Sequence, residues 1–160
     1  MSKLTDKVKL LQKVAVVHKG EILILKRSDE SKYRPGNWDL PGGNSEWPEG
    51  AEGDLVQPHL DDVLREVAEE TGLDLEELGL KDQIAQTKPI YFSTYFEQDK
   101  QLFTVIVGWQ INLPADFNRD LVKISPEHTE NVWIKPEQFD EFDFGFAGQK
   151  DGFIRGMIAR

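Results

Sequence analysis

Apolar runs broken by glycine, proline and charge set the layout of this chain. Val14-Ala15-Val16-Val17 and Ile22-Leu23-Ile24-Leu25 are short runs of strand type, and Lys19-Gly20 between them predicts a tight hairpin. Ser28 to Asn37 is polar, with Pro35-Gly36 as its turn. Trp38-Asp39-Leu40-Pro41-Gly42-Gly43 reads as a brief strand cut off by proline and glycine, and Asn44 to Gln57 as an acidic loop. Ile84 to Phe96 and Leu102 to Ile111 read as two further strands, and Val132-Trp133-Ile134 as another. Glu137 to Phe142 predicts a short helical turn, and Phe146 to Arg160 a closing helix weakened by Gly148, Gly152 and Gly156.

One helix is strongly signalled. Pro58 suits its first turn and Gly72 its C-terminal cap. At about 100° per residue, with Glu66 at zero, Glu70 lies near 40°, Asp62 near −40° and Glu69 near −60°. Leu60, Val63, Leu64, Val67 and Thr71 gather at about 60° to 160°. An apolar face therefore adjoins a carboxylate face. Strands on both sides of this helix predict a mixed α/β (α+β) sandwich.

A carboxylate face is commonly just solvated surface. Against that, like charges at Glu66 and Glu70 cost about 0.2–0.5 kcal/mol. Only Arg65 lies near them in sequence to compensate. Hard oxygens bunched in this way suit Mg²⁺ or Mn²⁺. The paired glycines 42 and 43 allow close backbone approach, so a free carbonyl there is a further candidate ligand.

Composition narrows the field. The 160 residues, 39% hydrophobic and 30% charged, suit one domain over 1–160. The chain has no cysteine, which excludes thiolate zinc, iron–sulfur and cysteine-nucleophile chemistry. A formal charge of −10 disfavours nucleic acid and anionic membranes as partners, although a divalent cation can still bridge an acidic site to small phosphates. Met1 to Leu11 lacks an apolar leader core, and no run approaches a membrane span, so a cytoplasmic setting is expected. Phosphate-loop, His-Glu-x-x-His, Gly-x-Ser-x-Gly and calcium-loop patterns are absent.

Arg65-Glu66-Val67-Ala68-Glu69-Glu70-Thr71-Gly72-Leu73 resembles the second half of the Nudix box, and Gly43 with Glu49 has the box spacing of five intervening residues. Fifteen residues separate Glu49 from Arg65 where the family has seven, so Gly50 to Gln57 is an enlargement. Glu46, Glu49 and Glu52 compete for the place of the first box glutamate. The resemblance implies an α/β/α sandwich with a mixed sheet. It also implies metal-dependent hydrolysis of a nucleoside diphosphate linked to another group, with nucleoside triphosphates favoured over ADP-ribose, nucleotide sugars or dinucleoside polyphosphates. A metabolite-binding module on the same fold is the non-catalytic alternative, and the intact Glu66, Glu69 and Glu70 argue against it. By the match, Glu66 and Glu70 are ligands of Mg²⁺ (or Mn²⁺), Glu69 is a ligand or base, the Gly43 carbonyl completes the shell and Arg65 orients the carboxylates. Bunching is expected to raise the carboxylate pKa values. Smaller expectations fall on Arg27 at a phosphate, Trp38 at a base or in the core, and Glu127-His128 at the substrate or capping a loop. His18 and His59 are expected at the surface, and Tyr91, Phe92, Tyr95 and Phe96 mostly in the core. Oligomeric state is left open.

Overall fold

The computed structural model describes residues 7–46, 48–50, 52–86, 88–145 and 151–158. In order come β1 (Val8–His18), β2 (Glu21–Arg27), β3 (Trp38–Asp39), α1 (His59–Thr71), α2 (Lys81–Gln86), β4 (Tyr91–Glu97), β5 (Leu102–Asn112), β6 (His128–Ile134) and α3 (Asp151–Ile158). The strands form a mixed sheet ordered β3-β2-β1-β5-β4, with β6 on the other side of β2. β1 and β5 run parallel, from Val8 beside Phe103 to Val17 beside Asn112, and the other pairings are antiparallel.

Alternation along the strands fills two cores. Val14, Val16, Leu23, Leu25, Trp109 and Ile111 pack beneath α1 and α2 with Val63, Val67 and Ile84. Ala15, Ile22, Ile24, Ile106 and Ile134 face the other way, onto Phe153, Ile154, Met157 and Ile158 of α3 and onto Phe139 of the 3₁₀ turn Pro136–Glu141. The result is the expected α/β/α sandwich with a mixed sheet.

The feature that positions the site is a split in the sheet. β1 pairs with β2 only at Val17–Ile22 and His18–Glu21. Ahead of that point the segment 41–45 takes the edge of β1. The Gln12 N–H donates to the Gly43 carbonyl (2.9 Å), the Val14 N–H to the Pro41 carbonyl (2.8 Å) and the Ser45 N–H to the Leu10 carbonyl (2.9 Å). The Gln12 side chain then ties the loop to the helix: Nε2 donates to Ser45 Oγ and to the His59 carbonyl, and Oε1 accepts the Trp109 indole N–H. The Gly42-Gly43 turn is thereby wedged between β1 and α1.

Pro58 immediately precedes α1, and Gly72 ends it at φ 71° with its N–H on the Ala68 carbonyl. The Lys19-Gly20 hairpin also forms, both residues at positive φ. Several expectations are corrected. Ile84 belongs to α2, because Leu80 and Ile84 stand one helical turn apart against the α1-side core, and the strand begins only beyond Pro89. Phe92 and Phe96 are exposed: they project from an edge strand on the α1-side face but lie outside the core packed beneath α1 and α2, while Tyr91 and Tyr95 alternate inward. His18 is buried, closed in by Phe117 and Trp133 and held by Arg119, whose Nε donates to its Nδ1 at 2.8 Å. His59 is half-buried, stacked on Trp109. The closing helix spans Asp151–Ile158, and the remainder of the expected 146–160 stretch lies outside the described residues. Among the described residues no helix is long and apolar enough to cross a membrane.

Candidate active site

A buried ion cluster underlies the glycine turn. Asp39 Oδ2 accepts from Lys13 Nζ (3.0 Å) and Arg34 Nη2 (2.6 Å), with Arg27 Nη1 at 3.6 Å, and Oδ1 accepts the Leu40 N–H. Burial alone pushes this carboxyl up, but Lys13 and Arg34 outweigh it and hold Asp39 below the usual carboxylate range. Lys13 Nζ also donates to the Leu40 carbonyl (3.0 Å) and the Gly42 carbonyl (2.7 Å). All three ammonium hydrogens are used, so Lys13 fixes the path of the chain into the turn.

The turn in turn receives the helix. The Gly42 N–H donates to Glu70 Oε2 at 2.8 Å. Gly42 sits at φ 123°, and a Cβ there would lie 2.4 Å from the Gln12 carbonyl oxygen. A Cβ on Gly43 would lie 2.7–2.8 Å from the Glu66 carboxylate. The two glycines therefore let backbone and carboxylates meet. The carbonyl expected to be free is not wholly so: Gly43 O accepts the Gln12 N–H, which leaves it one lone pair.

Glu70 is only 8% exposed. Burial, with added repulsion from Asp39 and Glu66, raises its pKa to about 7 against the pull of Lys13 and the Gly42 N–H. Glu66 is raised too, chiefly by burial, with Glu69 adding and Arg65 opposing. The upward direction matches the sequence reasoning; its larger cause is desolvation, not the bunching of charge. Arg65 reaches Glu66 (2.9 Å), Glu69 (3.1 Å), Asp62 (3.5 Å) and Glu46 (3.6 Å). Glu69 lies on the solvent side of this fan. Glu49 and Glu52 are exposed in the loop.

His128 opens β6 and is buried, its Nε2 3.9 Å from Glu70 Oε1 and its Nδ1 3.3 Å from Ser125 Oγ. Burial, then the charges of Lys13 and Arg27, push its pKa down to about 4, so the ring is neutral. The Glu127 side chain is exposed, and its carbonyl accepts the Ser28 N–H, tying two loops together. Arg27 donates from Nε to the Tyr33 carbonyl. Trp38 packs edge-on against Phe142 at 5.2 Å, in the α3-side core.

A model of the NUDIX domain family matches residues 13–155. The chain belongs to the Nudix hydrolase family. It is 30% identical over 141 residues to the nucleoside triphosphatase NudI of Escherichia coli O81 (strain ED1a), covering 87% of this chain and 90% of that protein. The MutT protein of Methanosarcina mazei Go1 has the same fold, with a TM-score of 0.62, 24% identity and coverage of 94% and 93%. So does a C. elegans Ap4A hydrolase, with a TM-score of 0.59, 19% identity and coverage of 92% and 93%. As a Nudix hydrolase the chain cleaves phosphoanhydride bonds in small nucleotide substrates, and the family works with divalent cations.

The Nudix helix and turn suit such a cation. Among the described residues no three acidic or histidine side chains converge on one point. A divalent cation that keeps several waters and takes substrate phosphates needs only one or two protein carboxylates, and Glu66 and Glu70 are the two that lie against the Gly42-Gly43 turn. Of the residues singled out in the sequence, Gly43, Arg65, Glu66, Glu69 and Glu70 come together, with His128 next to Glu70. Arg27 joins the Asp39 cluster beneath the turn, while Trp38 and the Glu127 side chain stand apart. The sequence reading missed Lys13, Asp39 and Arg34. Its available signal was a charge at the head of an apolar run, Lys13 before Val14, and another inside a strand, Asp39 before Leu40-Pro41-Gly42.

Proposed function

We propose that this Nudix hydrolase cleaves a phosphoanhydride bond of nucleoside triphosphates, with Mg²⁺ or Mn²⁺ held by Glu66, Glu70 and the remaining lone pair of the Gly43 carbonyl. The observation that carries this reading is the meeting of Glu66 and Glu70 with the glycine turn, which only residues without a Cβ permit. The bound cation supplies charge neutralisation and a more acidic attacking water. The protein groups do the rest. Glu70, whose burial raises its pKa to about 7, would have to release its proton to hold a cation, since only the carboxylate is a ligand. Arg65 holds Glu66 and Glu69 in one orientation, and Glu69 serves as a further ligand or as the base. Glu46 fills the place of the first box glutamate, supported by its ion pair with Arg65. Neutral His128, 3.9 Å from Glu70, and Lys13 with Asp39 beneath the turn surround Glu70 on its buried side.

Similarity over nearly the whole length to a nucleoside triphosphatase supports triphosphates as substrates. A cytoplasmic setting suits free nucleotides. The test is a panel of nucleoside triphosphates, ADP-ribose, nucleotide sugars and dinucleoside polyphosphates with Mg²⁺, scored by released products. Preference for a triphosphate is expected; turnover confined to another class would overturn the substrate assignment.

A further inference from the structure

β4 is the outer strand of the sheet on the side away from β2, and among the described residues it pairs only with β5. Its other edge therefore presents a row of backbone N–H and C=O groups. Native proteins usually blunt such an edge with lysine, proline or a bulge. Tyr91-Phe92-Ser93-Thr94-Tyr95-Phe96-Glu97 has none of these. Phe92 is 68% exposed and Phe96 50%, both on the α1-side face, and Val8, 46% exposed, continues the patch two strands away. α3 packs on the opposite face, where Tyr91 meets Phe153.

We infer that β4 is a self-association edge, which pairs antiparallel with β4 of a second copy of this chain about a two-fold axis at Thr94. The sequence of the strand selects that occupant and register. Thr94 is the midpoint of the seven residues. With Thr94 opposite Thr94, the two strands overlap fully and each Phe92 stands opposite a Phe96. Ser93 then faces Tyr95, and Tyr91 faces Glu97. Aromatic and threonine cross-strand pairs are favourable pairings. Sliding by two residues in either direction leaves two ladder positions unpaired and breaks both Phe92–Phe96 pairs. A formal charge of −10 on each copy opposes association in general, so contact between copies is least opposed along a strip with little charge, as β4 is. The single charge of β4, Glu97, accepts the Tyr95 hydroxyl and is paired with Lys100.

The absence of cysteine makes the register directly testable. Directly opposed Cβ atoms in an antiparallel pair lie about 4.5–5.5 Å apart, close enough for a disulfide with slight adjustment. Thr94→Cys is therefore expected to form a disulfide-linked dimer under mild oxidation. Phe92→Cys and Phe96→Cys alone are not, because their like positions lie roughly 13 Å apart in this register. Mixed together, those two variants should give the heterodimer. Thr94→Lys, which opposes two like charges at the axis, should shift the native dimer toward monomer by at least about tenfold in dissociation constant. All these positions are exposed, so folding is preserved and circular dichroism checks it. Light scattering that shows only monomer, equal cross-linking by all three cysteine variants, or a dimer unaffected by Thr94→Lys would each overturn the proposal.

Discussion

Replacing Glu70 by Gln separates the cost of the site from its use. Gln keeps the shape and retains an oxygen for the Gly42 N–H, but it cannot ionise. In the native protein the Glu70 pKa rises from 4.5 to about 7. Between those values the folded protein holds a proton that the unfolded chain has released, so stability falls as pH rises through the window. Each pH unit there is worth about 1.4 kcal/mol. Fully ionised Glu70 therefore costs the metal-free native state about 3 kcal/mol relative to its protonated form. His128 has the opposite slope. Its pKa falls from 6.5 to about 4, so its contribution is present above pH 6.5 and is lost as pH falls. The two windows overlap and partly cancel in the native protein, and the difference between variant and native isolates Glu70. Urea unfolding in the presence of a chelator is the assay. Glu70→Gln should match the native protein near pH 4 and exceed it by about 3 kcal/mol at pH 8. Added Mg²⁺ should then stabilise the native protein far more than the variant. A stability difference that is the same at both pH values would refute the reasoning, because it would mean Glu70 is not held in a desolvated site.

Gly43→Ala should leave a folded protein with activity reduced at least about tenfold, because its Cβ displaces the Glu66 carboxylate; Gly42→Ala should instead lower stability by about 1–3 kcal/mol or more, because it meets backbone at strained φ. Turnover and urea unfolding distinguish the two, and equal behaviour would contradict the geometry. Lys13→Met should cost about 3–5 kcal/mol by leaving Asp39 and two carbonyls short of a partner, and Lys13→Met/Asp39→Asn should cost less than the sum of the single changes in the same denaturation assay. Deleting residues 50–57 should leave circular dichroism unchanged and alter KM or substrate choice, since Leu55 and Val56 are exposed and the α1 pattern begins beyond them; loss of fold would make the loop structural.

Much of this was legible in the sequence because local signals and tertiary needs agreed. The carboxylate face, the Gly72 cap and the glycine pair each follow from spacing alone, and all three are found where expected. What was not legible depended on partners distant in sequence. Lys13 looks like a surface charge until the sheet splits and Asp39 and Arg34 arrive around it. His18 looks polar until Arg119, about a hundred residues on, covers it. Phe92 and Phe96 look like core until topology places β4 at an edge. Ile84 was ambiguous because a short apolar segment beside a proline suits helix or strand, and packing against the α1-side core decided it.

The central claim is that Glu66 and Glu70, meeting the Gly42-Gly43 turn, hold the divalent cation on which hydrolysis depends. Its most direct test is a Mn²⁺ titration of the native protein, Glu66→Gln and Glu70→Gln, followed by electron paramagnetic resonance and paired with nucleoside triphosphate turnover at saturating Mg²⁺. The account predicts cation binding weakened at least about tenfold, or about 1.4 kcal/mol, in each variant, and turnover lower by orders of magnitude. Full turnover by Glu70→Gln with unchanged Mn²⁺ affinity would contradict it.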